Sequence, residues 1–166
     1  MSGDFNLTRI SFPIRCMSPQ SVLMQTTGFA TTLPIYMNRA ATITDPVERM
    51  KLVMTSNFSW YLYNQVFHKP LNPILGETYQ CIGQDGARIF LEQTAHHPPR
   101  SHIYVDGPDG LYTMNGWMEY EIYAGVQNSD VKCHGFKQVE FADGSRIKWN
   151  LNSDHIGGVV FGTMIH

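Results

Sequence analysis

The stretch Ile89-Phe90-Leu91-Glu92-Gln93-Thr94-Ala95-His96-His97-Pro98-Pro99 joins an apolar, strand-like run to two adjacent histidines and two prolines. Each proline fixes its own φ and biases the residue before it toward extended backbone. His97 is therefore expected to be extended, and the neighbouring imidazoles to diverge as successive strand side chains do. Such a pair can grip one large anion from two directions. Two other readings stand beside this one. The histidines can simply cap a strand end. They can also be metal ligands, with His102 as a third and Glu92 nearby, which would suit a metal-dependent hydrolase. Adjacent histidines alternate across a strand, however, and rarely face one metal together. The chain also lacks a Ser-His-Asp arrangement, a P-loop and an H-E-x-x-H motif. The expectation is no metal, no cofactor and no catalytic residue.

Outward from this stretch, everything after Gly76 follows one grammar. Short runs rich in aromatic and β-branched residues alternate with turn signals. Candidate strands are Thr78–Ile82, Arg88–Thr94, Ser101–Val105, Leu111–Asn115, Glu119–Gly125, Val131–His134, Lys137–Phe141, Ser145–Leu151 and Gly158–Met164. Turns are expected at Gly83–Gly86, Asp106–Gly110, Asn128–Asp130 and Ala142–Gly144. Connections this short demand antiparallel neighbours, so the run is a meander. A long meander curls into a barrel or packs on another layer to protect its edges.

Before Pro70 the pattern is helical. Asp45 can cap free amides, Pro46 suits a first helical position, and Glu48 completes a capping-box pattern. Val47, Met50, Met54, Phe58, Tyr61 and Val66 then recur at helical spacing, which predicts a helix to about Phe67 with this face packed in the core. A weaker start is Ser18-Pro19, leading into Val22, Leu23 and Met24. Thr31-Thr32-Leu33-Pro34 reads as irregular. The fold class is thus α+β, mainly β, with N-terminal helices followed by an antiparallel meander.

The chain has 166 residues, 43% hydrophobic and 12% aromatic, enough for one domain with a real core. Its formal charge of −2 argues against a nucleic-acid binder driven by general basicity, and against strong attachment to anionic membranes by net charge. Cys16, Cys81 and Cys133 are odd in number and widely spaced, which fits free thiols in a reducing compartment. The N-terminus lacks the regions of a signal peptide, and no apolar run approaches the ~20 residues of a membrane span. A cytoplasmic protein is expected.

Lys69-Pro70-Leu71-Asn72-Pro73-Ile74-Leu75-Gly76-Glu77 sits where helix meets sheet. Its prolines stiffen the loop, and Gly76 permits a tight turn into the first strand. Lys69 offers a cationic head and Asn72 an amide that donates and accepts. This is either an anion cradle or an ordinary proline-rich connection. The stretch resembles the K-P-x-N-P-x-L-G-E motif of the oxysterol-binding protein-related lipid-transfer family. Glu92–Pro99 resembles that family's E-Q-x-x-H-H-P-P fingerprint. Asp45-Pro46-Val47-Glu48-Arg49-Met50 resembles its D-P-x-E-R-M helix start. Arg9–Pro13 and Ser18–Leu23 look like its leading segment, and Lys148-Trp149-Asn150 with Gly157–Gly162 like later barrel strands.

The resemblance implies a lipid-binding domain built on a large, nearly complete antiparallel barrel. A sterol or phospholipid tail would occupy its tunnel, and a phosphoinositide headgroup, usually phosphatidylinositol 4-phosphate, its mouth. Carried over by motif, Lys69 and Asn72 would hold phosphate oxygens. His96 and His97 would bind the phosphate on the inositol ring, and Leu71 would lie beside the acyl-glycerol region. The implied function is non-enzymatic lipid transfer between membranes by a cytoplasmic protein peripheral to them. Thr94-Ala95 departs mildly from the commoner Val-Ser, and only Met1–Thr8 is available for the family's lid. The family domain is longer at its C-terminus. Residues 1–166 are therefore expected to be one domain, truncated at its C-terminal end, with the leading segment and helices over 1–68 and barrel strands over 69–166. A second copy or a C-terminal segment would complete the barrel. A scaffold fragment that no longer transports anything is the remaining alternative.

Overall fold

The computed structural model describes residues 5–6, 13–63, 68–124 and 129–156. Three α-helices are present among the described residues: α1 (Val22–Thr26), α2 (Leu33–Thr42) and α3 (Pro46–Tyr63), with a 3-10 segment, Thr27–Thr31, between α1 and α2. Ten strands are present among the described residues. Two precede the helices, β1 (Phe5–Asn6) and β2 (Met17–Ser21). The rest follow them: β3 (Lys69–Leu71), β4 (Thr78–Ile82), β5 (Arg88–His96), β6 (Pro99–Asp106), β7 (Tyr112–Ala124), β8 (Ser129–Phe141), β9 (Arg146–Asn150) and β10 (Asp154–Ile156). The main sheet runs β10-β8-β7-β6-β5-β4, with β1 added on β7 and β9 on β8, all antiparallel. β2 and β3 form a separate parallel pair. Beyond β5, β4 has no partner among the described residues, so the described sheet is an open part of a barrel.

The helices start where their local chemistry says. Ser21 Oγ accepts the Met24 amide at the start of α1. Asp45 Oδ1 accepts the amides of Val47 at 2.8 Å and Glu48 at 3.0 Å, which caps α3. The Glu48 carboxylate accepts from Lys51 Nζ at 2.7 Å. In place of the expected irregularity at Thr31–Pro34, Thr31 ends the 3-10 segment, Thr32 precedes α2, and Leu33 and Pro34 begin it, with Pro34 in the first turn, where a missing N–H costs nothing.

The buried face of α3 corrects the sequence reading. Val47 (61%), Met50 (45%) and Phe58 (59%) are exposed, while Arg49, Val53 and Ser56 are buried. Both stripes have helical spacing, so periodicity alone could not choose. Arg49 chooses: its Nε donates to the Ala40 carbonyl at 3.0 Å and its guanidinium pairs with Asp143 at 2.7 Å. Val66, the predicted helix end at Phe67 and the side chain of Tyr61 lie outside the described residues.

The predicted breaks at Gly116 and Gly135 do not exist. Leu111–Asn115 and Glu119–Gly125 merge into β7, and Val131–His134 and Lys137–Phe141 into β8. The glycines are there for close approach: a Cβ on Gly116 would lie 2.3 Å from the Phe136 carbonyl oxygen, and one on Gly135 2.0 Å from that of Trp117. Ser129 and Asp130, expected in a turn, belong to β8. Asn128 and the strand predicted over Gly158–Met164 lie outside the described residues, as do Gly125, Arg9–Phe12 and Gly157–Gly162.

One hydrophobic core joins the layers. Leu23, Phe29, Leu33, Met37, Ala40 and Val53 from the helical side meet Ile89, Leu91, Ile103, Val105, Met114 and Val139 from the sheet. Alternation leaves Phe90, Glu92, His102 and Tyr104 on the opposite, solvent-facing side.

Candidate functional site

A register shift between Gln93 and Ala95 interrupts the β5–β6 ladder just before the histidines. Up to Gln93 the burial of β5 alternates strictly; after it, Ala95 and His96 are both half-buried. Such a bulge re-aims the side chains that follow. His96 then pairs with Pro99, and His97-Pro98 forms the two-residue turn into β6, with a cis peptide between them.

This geometry overturns the expected divergence. The imidazole centroids of His96 and His97 are 4.7 Å apart, with the rings edge to face at 63°. Strand alternation does not govern them, because His97 belongs to a turn and not to a strand. His97 is exposed and His96 half-buried. The Nδ1 atom of His96 is buried and has no hydrogen-bond partner.

Gln93 organises the site. Its carbonyl accepts the Gly76 amide at 2.8 Å, and its own amide donates to the Glu77 carbonyl at 2.9 Å. Its side chain, only 1% exposed, donates through Nε2 to the Ala95 carbonyl and accepts from Ser101 Oγ. The Lys69–Glu77 stretch is thereby fastened to β5.

Glu77 closes the loop on itself. Its amide donates to the Ile74 carbonyl at 3.0 Å, and its carboxylate accepts the Ile74 amide at 3.0 Å. Gly76 adopts φ +80° at this turn, which glycine does without strain. Lys69 and Leu71 do not lie in a free loop: they form β3, in register with Met17 and Ser21 of β2. Lys69 is half-buried, and Leu71 and Asn72 are exposed.

The sequence reading missed Gln93 and the pair beside it. Arg100 donates to Glu119 from Nε at 2.9 Å and lies 2.7 Å from it through a second nitrogen, while its guanidinium sits 5.0 Å over the Trp117 ring. The signal for Gln93 was available: it occupies an inward position after Ile89 and Leu91, where a polar residue must find partners. Among the described residues, no group of three or more His, Cys, Asp or Glu is placed to hold a metal ion. No described helix is long and apolar enough to cross a membrane.

Comparison with known proteins identifies the family and the fold. The family model described as "Oxysterol-binding protein" matches residues 3–166. Oxysterol-binding protein 9 of Dictyostelium discoideum is 35% identical over 161 residues, which cover 96% of this chain and 37% of that protein. Oxysterol-binding protein-related protein 6 of Homo sapiens is 34% identical over 110 residues, 64% of this chain and 12% of that protein. The Osh1 ORD domain in complex with ergosterol shares the fold at a TM-score of 0.83 and 24% identity, over 97% of this chain and 40% of that one. The Osh3 ORD of Saccharomyces cerevisiae in complex with PI(4)P gives 0.78 and 20%, over 96% and 43%. The chain spans less than half the length of each. With its helices, its open antiparallel sheet and a sequence match along nearly its whole length, the chain belongs to the oxysterol-binding protein family.

Proposed function

We propose that this chain binds a lipid, a sterol and/or phosphatidylinositol 4-phosphate, and transfers it between membranes without chemical change. The tail is enclosed by the barrel of which this sheet is part. The headgroup phosphate is held by Lys69, Asn72, His96 and His97, with Leu71 beside the acyl-glycerol region. The observation that carries this reading is the buried, unpartnered Nδ1 of His96 in ring contact with His97. A buried imidazole nitrogen without a partner is costly, and an anion that accepts a hydrogen bond from an Nδ1–H removes that cost. Fastening of the Lys69–Glu77 stretch to Gln93 supports the convergence of the two motifs. Ligands named for the solved relatives, ergosterol and PI(4)P, are of the proposed classes. Ile74 (71% exposed) and Leu75 (66% exposed) sit on the same loop and suit transient, peripheral contact with a bilayer.

Native mass spectrometry of the purified chain, followed by exchange against vesicles containing sterol or phosphatidylinositol 4-phosphate, tests the proposal. The expected result is a one-to-one complex with a lipid of either class. A chain that takes up neither from vesicles would overturn it and leave the scaffold reading.

A further inference from the structure

The solvent-facing side of the sheet carries a depression of about 540 Å³ that the lipid-binding reading does not use. It lies on the face opposite the helices, spanning β4 to β8. Along β5, Glu92 precedes His96 by four residues, roughly 13 Å at strand rise, so the depression is separate from the two histidines.

Its lining is chemically selective. Phe90 and Tyr104 face each other across β5 and β6, with centroids 6.2 Å apart and planes tilted at 43°. They form an open wedge, with the residues 37% and 44% exposed. Glu92, one pair further along the same two strands, faces His102. It is the only Asp, Glu, Lys or Arg lining the depression, and no cation pairs with it among the described residues.

The same face already binds cations to its other rings. The Arg100 guanidinium lies 5.0 Å over Trp117, and Lys148 Nζ lies 4.0 Å over Phe136. The Phe90–Tyr104 wedge has no such cation among the described residues. An aromatic face attracts a positive charge through its quadrupole, most strongly when that charge has a weakly hydrated, apolar hull. An unpaired carboxylate beside the wedge adds to that field. An anion is disfavoured by both. A hard metal ion needs several oxygen ligands, and this lining supplies one carboxylate.

We propose that the Phe90–Tyr104 wedge and Glu92 form a second ligand site, for an organic cation of the quaternary-ammonium or guanidinium type. The rings hold the hull of the cation and Glu92 neutralises its charge. Gln80 and Asn115 border the wedge and supply hydrogen bonds to whatever carries the cation.

Two-dimensional NMR titration of the full chain tests this, with choline chloride in one arm and N-acetylarginine amide in the other, against sodium chloride at matched ionic strength. Saturable shifts confined to Phe90, Glu92, Tyr104 and their neighbours are expected in at least one organic arm. Saturation by choline alone assigns a quaternary-ammonium ligand, and saturation by the arginine derivative alone a basic side chain. Glu92→Gln and Tyr104→Leu, both at exposed positions, should each weaken binding about fivefold or more. A His96→Ala, His97→Ala double variant should leave it unchanged. Shifts that match sodium chloride in both arms, or affinity within about twofold in both wedge variants, would overturn the proposal.

Discussion

Four side chains show how much of this protein turns on single residues. His96 and His97 are proposed to hold a phosphate. Replacing both with alanine is expected to weaken phosphoinositide binding at least tenfold while changing sterol binding by less than about threefold, because charge-assisted hydrogen bonds act only on the phosphate. Competitive binding with the two lipids reads this out, and equal losses would point to misfolding. Gln93→Leu is expected to cost about 1–3 kcal/mol in urea denaturation, since the Ala95 carbonyl and Ser101 hydroxyl lose their partner. Lys137 is buried, and burial lowers its pKa from 10.5 to about 8, with the Cys133 charge opposing more weakly. Between about pH 8 and 10.5 the unfolded chain holds a proton that the folded chain has released, so stability rises with pH across that window. Below it the folded chain carries a buried ammonium, at a cost on the order of 3 kcal/mol. Lys137→Met should therefore raise stability at pH 7 and remove the rise toward pH 10, both measured by urea denaturation.

Between elements, Arg49 does what no apolar contact could specify. From α3 it reaches the last turn of α2 through the Ala40 carbonyl and the β8–β9 turn through Ser145 and Asp143, and it lies 4.8 Å over the Phe141 ring. This single guanidinium fixes the rotation of α3 and leaves the Val47–Met50–Phe58 stripe outward. Arg49→Met is expected to cost roughly 2 kcal/mol in urea, because Asp143 and Ser145 lose a partner and the Ala40 carbonyl keeps only the long bond from the Ile43 amide, at 3.3 Å. Asp143, at the other end, is held at a pKa of about 2, first by the Ser145 hydroxyl, then by the Ser145 amide and by Arg49. Its contribution is full above its ordinary value of 3.8 and is lost as pH falls through about 2. An acid titration followed by tryptophan fluorescence should show Asp143→Asn to be less stable than the parent at pH 6, with the two converging near pH 2.

For the molecule as a whole, the open sheet is the dominant fact. Among the described residues β4 is a bare edge, and apolar side chains on α3 (Val47, Met50 and Phe58) and on α2 (Ile35, 60%) are exposed. Burial of apolar surface is worth about 25 cal/mol per Å², and unpaired strand edges recruit other strands. The chain is therefore expected to self-associate, or to be completed by a further segment or a lipid. Sedimentation at low micromolar concentration checks this: a monodisperse, lipid-free monomer with one cooperative thermal transition would contradict it.

What could be read from residues alone was local or combinatorial. The Asp45 cap, the turn at Gly76, the bounds of β4 and the antiparallel order all follow from backbone chemistry that neighbours in sequence dictate. The two proline-flanked motifs indicated the family, because several fixed residues in fixed order rarely coincide by chance. Tertiary structure decided the rest. Which stripe of α3 is buried depended on Arg49 meeting Asp143, ninety-four positions away. Whether Gly116 and Gly135 break strands or let them cross closely depended on the carbonyls of Phe136 and Trp117. Whether the two imidazoles diverge or touch depended on a bulge at the end of β5. Each of these choices is a difference in free energy between arrangements with the same local pattern, and the term that separates them is a long-range contact that exists only once the chain has folded.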